Sequence, residues 1–72
     1  MAAAGTIRGK EKEAVIATAL KLGYIVNRSE SCIKLEGCSE TFVIWNDGTA
    51  QRKTATVPVV YHQSWQLEEA LG

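Results

Sequence analysis

With one proline, one histidine and two cysteines among 72 residues, this chain is short of nearly every residue type that announces a chemistry. Cys32, Cys38 and His62 offer three soft metal ligands at most, whereas a structural zinc site takes four from paired motifs. No metal or other cofactor is therefore expected. The cysteines flank a turn and are expected to be free thiols, Cys32 the more exposed. No sign of charge prevails either, because eight basic residues balance eight acidic ones. That removes the presumption of nucleic-acid binding that a basic domain carries, while leaving room for a basic face on a neutral whole. A long apolar run is also missing. The longest uncharged internal stretch, Thr54 to Leu67, contains Pro58, His62, Gln63, Ser64 and Gln66 and does not suit a membrane span. The opening MAAAGTIRGKEKE has no apolar segment before its charges, so no secretory signal is expected. The cytoplasm, with reduced thiols, is the expected compartment. Nucleotide-binding and zinc-protease motifs (Walker, Gly-x-Gly-x-x-Gly, His-Glu-x-x-His) do not occur.

What is present describes a folded domain. Apolar residues make up 46% of the chain and charged ones 22%, ordinary values for a globular protein. The length suits one domain with a thin core, which makes dimerisation a plausible supplement to stability. Residues 1–9 are expected to be a flexible lead, with the domain running from 10 to 72. From Lys10 to Leu22 the pattern predicts a helix. Glu11 and Glu13 suit its positive end, and Val15, Ile16, Ala19 and Leu20, extended by Leu22, form an apolar stripe. Gly23 suits the left-handed position after a helix end.

Beyond Gly23 the period falls to two. Tyr24 and Val26 share one face of a first strand and Ile25 takes the other, with Asn27 to Glu30 as the connection. In a second strand Ile33 and Leu35 point inward, alternating with Cys32, Lys34 and Glu36. Gly37 to Ser39 turn the chain into a third, nearly continuous apolar strand, Thr41 to Trp45. Asp47-Gly48 suits a two-residue hairpin in which both positions take positive φ. The return strand is expected over about Ala50 to Val57, with Pro58 marking its end or an edge. His62 to Leu71 forms a short helix held by Trp65 and Leu71. The fold class is therefore α+β: an antiparallel sheet of three or four strands with an N-terminal helix and a short C-terminal helix packed on one face.

Candidate sites follow from this layout. No catalytic residue stands out. A nucleophile–base pair of His62 with either cysteine, or acid–base work beside Glu68, would need the fold to bring distant residues together. Arg28, Lys34, Arg52 and Lys53 form the candidate nucleic-acid patch, on neighbouring strand segments where they could contact phosphates. Glu30, Glu36 and Glu40 lie in the same region and argue for a mixed, soluble face instead. Val43 and Trp45 point away from Phe42 and Ile44, so one apolar pair needs a second cover. Val43, Trp45 and Trp65 are thus the candidate interface. Trp45 packs on Trp65 or on another subunit, and a two-fold homodimer is the simplest assembly that supplies a cover. The leading expectation is a small non-enzymatic accessory or protein-interaction domain, with RNA binding as the alternative and a protein or RNA as partner.

One family resembles this order of elements. A helix ending in Gly23-Tyr24-Ile25-Val26-Asn27-Arg28, followed by strands and by Ala55-Thr56-Val57-Pro58 before a last helix, resembles the HicA-type RNA-cleaving toxins. The resemblance spans roughly Glu13 to Leu71 and tolerates extra length around Cys38 to Lys53. It implies a double-stranded-RNA-binding-like fold. In that family a Gly-Ser-His segment carries the catalytic histidine. The matching stretch here is Glu30-Ser31-Cys32, with cysteine in its place, and His62 lies beyond Val57-Pro58. The resemblance thus implies the scaffold, with RNA- or protein-binding ability, but not the nuclease.

Overall fold

In the computed structural model, which describes residues 5–54, 56–57 and 59–72, two helices lie on one face of a five-stranded antiparallel meander. The elements in chain order are α1 (Gly9–Lys21), β1 (Ile25–Arg28), β2 (Cys32–Glu36), β3 (Thr41–Trp45), β4 (Ala50–Arg52), β5 (Val60–Tyr61) and α2 (Ser64–Leu71). Each strand pairs with its neighbour in sequence, so the sheet order is β1-β2-β3-β4-β5. The α+β architecture agrees with the pattern of periods, with five strands in place of three or four. The expected roles of residues 1–4, Ala55 and Pro58 lie outside the described residues.

α1 buries Val15, Ile16 and Ala19, and it ends where Gly23 takes φ +93°. The Gly23 amide donates to Leu20 O at 3.1 Å and the Tyr24 amide to Ala19 O at 2.9 Å. This pair of bonds satisfies carbonyls that a helix end leaves open, and the left-handed residue it needs is cheapest as glycine. Leu20 and Leu22, expected on the buried stripe, are 58% and 49% exposed. At 100° per residue Leu20 falls about a quarter-turn from the centre of the Val15–Ile16–Ala19 face, and so it stands on the helix shoulder.

The core joins that face to Leu67 and Leu71 of α2 and to Ile33, Leu35, Phe42, Ile44, Ala50 and Tyr61 of the sheet. Phe42 is its centre, with the Tyr24 and Tyr61 rings tilted against it at centroid distances of 6.0 and 6.2 Å. Tyr24 also donates from its hydroxyl to Leu71 O at 2.9 Å, which ties β1 to the end of α2. Burial, followed by the nearby Glu40 carboxylate, raises the Tyr24 pKa above its ordinary 10.0, against an opposing pull from Arg52. The helices are joined by the Thr18 hydroxyl, which donates to Glu68 Oε1 at 2.7 Å.

The segment before α1 contributes more than a lead would. Ile7 is fully buried in the core. The Thr6 amide donates to His62 O at 2.8 Å and the Ile7 amide to Gly48 O at 2.9 Å. Residues 5–8 therefore fasten the β3–β4 hairpin to the entrance of α2.

That hairpin differs from the expected two-residue form. Positive φ occurs at Gly48 (+90°) but not at Asp47. The Gly48 amide closes a turn onto Trp45 O at 3.1 Å, and the Trp45 amide bonds Thr49 O at 2.8 Å. A turn followed by a left-handed glycine bulge is the three-residue alternative for such loops. Three other boundaries differ from the expected ones. β1 extends through Asn27 and Arg28, placed in the connection by the sequence reading. The return strand stops at Arg52, and after a turn the valine-rich stretch doubles back as β5. α2 starts at Ser64, two residues later than expected, after a capping box in which the Gln63 and Gln66 side chains bond each other's backbone amides.

Candidate functional site

The four candidate phosphate contacts do not meet. Directly paired residues of an antiparallel sheet project to the same face. Arg28 is paired with buried Ile33, and Arg52 with buried Phe42, so both take the helix side. Arg28 bonds Glu13 of α1 at 3.3 Å. The Arg52 guanidinium lies 5.7 Å from the Phe42 ring centroid and 3.7 Å from Glu40. Lys34 is opposite Val43, and the Lys53 amide bonds Thr41 O at 2.8 Å, which puts both lysines on the open face. The cations are divided two and two between the faces, and the two arginines already face carboxylates.

The candidate interface residues are likewise separated. Val43 faces away from the helices yet is only 1% exposed. Its cover comes from its neighbours. Lys53 and Trp45 lie at opposite ends of the β3 register, and the ammonium comes within 6.0 Å of the indole centroid. The two side chains therefore meet above the middle of the strand, where Val43 lies between Lys34 and Gln51. Trp45 retains 37% exposure, while Trp65 is 60% exposed on α2, in the other layer. Neither the expected Trp45–Trp65 packing nor an uncovered Val43 occurs. Trp65 also does not hold α2 down; Leu67 and Leu71 do so.

His62 is exposed and remote in role from both thiols. Its carbonyl receives the Thr6 amide and its own amide donates to Gln66 Oε1 at 3.3 Å. Glu68, considered as its acid–base companion, is bonded to Thr18 instead. Cys32 lies beside Ser29, with Sγ and Oγ 3.6 Å apart, and is half-buried opposite Trp45. Cys38 in the β2–β3 turn is the exposed thiol, the reverse of the expected order. Among the described residues, no three His, Cys, Asp or Glu side chains gather in a way that could hold a metal ion. Among them too, no helix is long and apolar enough to cross a membrane.

What the structure does gather is an open groove between α2 and β5. Val59 and Trp65 form its apolar rim, Tyr61 and Ala70 its floor, and Arg52 and Glu69 its charges; Val60 borders it from the strand edge, its register with Gln51 turning the side chain to the open sheet face. Val60 and Val59 are 51% and 37% exposed. Of its lining only Arg52 and Trp65 were candidate residues in the sequence, and in other roles. The available signal was the valine run around Pro58, too apolar for a plain turn. A second hollow lies between the ends of both helices and the β2–β3 turn, lined by Leu22, Tyr24, Cys38, Glu40 and Leu71. Its one buried polar tip, the Tyr24 hydroxyl, is already committed to Leu71.

No protein family matches the chain, and neither a curated protein nor a solved structure shows significant similarity to it.

Proposed function

We propose that this chain is a small non-enzymatic protein-interaction domain that binds through the groove between α2 and β5. The observation that carries this reading is the gathering of exposed Trp65 and Val59 around one open groove at the β5 edge. A half-exposed tryptophan flanked by aliphatic residues is the composition of an interface centre rather than of a phosphate-binding surface. The division of Arg28, Lys34, Arg52 and Lys53 between two faces weighs against a phosphate track.

The second reading, RNA binding, has its own support. Trp45, Lys53 and Lys34 share the open sheet face, and an aromatic ring beside lysines is the arrangement on which single-stranded bases stack. The resemblance to HicA-type toxins points the same way, for the scaffold but not for the cleavage. Labelled single- and double-stranded RNA, titrated at low and moderate salt, separates the readings. We expect no cleavage and no binding tighter than about 100 μM, the weak end of non-specific affinity. Micromolar binding that falls steeply with salt and is lost in Lys53→Ala would establish the RNA reading instead. Cleavage abolished by His62→Ala would make the protein an enzyme.

A further inference from the structure

We propose that the α2–β5 edge docks on the same edge of a second copy of this chain, across a two-fold axis. The inference rests on the reading above and names its partner. Arg52 and Glu69 both line the groove, one from β4 and the other from α2. Arg52 is incompletely satisfied within its own chain. Its approach to Glu40, at 3.7 Å from Nη1, is longer than the ~2.7–2.9 Å of a charge-assisted bond, and its side chain keeps about a third of its surface exposed. Glu69 has no ion pair among the described residues. A partner surface of one sign would repel one of these two charges. A copy of the same edge repels neither when the two-fold axis sets each Arg52 towards the Glu69 of the other copy.

Shape and apolar content agree with that occupant. β5 is the last strand of the sheet, bonded to β4 on one side; among the described residues no strand pairs with its other side, where Thr6 bonds the backbone only beyond its end, at His62. The outward side of such a strand can accept another chain. Val59 and Trp65 would be covered by their own counterparts, as an isologous interface requires. The extent of the edge limits its strength. A standard interface covers about 800 Å² on each partner, roughly a sixth of this chain's 4633 Å². A two-residue strand and one tryptophan offer less, so the dimer exchanges rapidly and forms only at high concentration.

Sedimentation equilibrium from ~1 μM to ~1 mM tests this, because that span covers weak association. The wild type should show a reversible monomer–dimer equilibrium. Trp65→Ala should weaken it tenfold or more, and Glu69→Arg several-fold, with the loss in Glu69→Arg reduced by added salt. Trp45→Ala should leave it unchanged. All three positions are exposed, and circular dichroism confirms that each variant is folded. A wild type that stays monomeric to 1 mM overturns the proposal. So do a Trp45→Ala loss equal to that of Trp65→Ala, an unchanged Glu69→Arg, and species that keep growing beyond the dimer. A monomer that also ignores RNA leaves the interaction-domain reading with a different protein as partner. A monomer that binds RNA overturns both.

Discussion

Asp47 holds the tip of the β3–β4 hairpin with one carboxylate. Its Oδ1 accepts the Thr49 hydroxyl at 2.6 Å and the Thr49 amide at 3.0 Å. The hydroxyl bond, then the amide bond, lowers its pKa below the ordinary 3.8, and the His62 charge adds a small pull in the same direction. A depressed carboxylate stabilises the fold above its unfolded pKa, and that contribution is lost as pH falls through the lower folded value. The protection factors of the Gly48 and Thr49 amides, exchange corrected for the intrinsic rate at each pH, should therefore fall on acidification below pH 3.8 while those of the core amides hold. Asp47→Asn should lose this acid-side dependence. A Thr49 protection factor that does not change between neutral pH and pH 2 would show that the carboxylate does not hold the turn.

At the scale of elements, two left-handed glycines make opposite demands. Gly23 and Gly48 both have positive φ, but a Cβ on Gly23 would meet nothing within 4 Å. A Cβ on Gly48 would run into the Gly5 backbone and the Arg8 side chain. Gly23→Ala should therefore cost about 1 kcal/mol of backbone strain. Gly48→Ala should cost about 2–3 kcal/mol, because the N-terminal segment must also move away. Urea midpoints of the two variants test the order, and an equal cost would mean that the Gly5–Gly48 approach does not matter. This contact also shows where the sequence was legible. α1, β2 and β3 could be read because each carries several turns or alternations of one period, although Leu20 and Leu22 were placed on the buried stripe and the inward face of β3 stayed open between Phe42–Ile44 and Val43–Trp45. β5 was not legible, because two residues carry no period and the valines around Pro58 continue the β-rich composition of β4. Trp65 was misplaced for a related reason. An eight-residue helix presents two turns, and hydrophobicity alone does not tell its buried Leu67 and Leu71 from a tryptophan on the other side. The four cations were assigned to one patch because neighbouring segments do not reveal face; pairing register does.

For the whole molecule, the decisive unread residue is Ile7. It lies outside every periodic segment, yet it is among the largest fully buried side chains. Ile7→Ala should cost about 2–5 kcal/mol from lost burial and the cavity left behind. In a domain of this size the core rarely supplies more than about 3–5 kcal/mol of net stability, so that one change should bring the protein close to its unfolding threshold. Urea denaturation should show a lower midpoint, with the slope unchanged if the native state stays compact. A midpoint within experimental error of the wild type would mean that residues 5–8 are dispensable to the fold.

The bonds from Thr6 to the backbone at His62 span 56 residues of chain, whereas the sheet is built from strands adjacent in sequence. The two classes of contact should therefore form at different times. Local hairpins close a short loop and can appear early; the Thr6–His62 closure needs α1, the meander and α2 already in place. The N-terminal segment would then be the last part to lock and the first to release. Ile7→Ala should consequently act almost wholly on the unfolding rate, with the refolding arm of its chevron lying on that of the wild type.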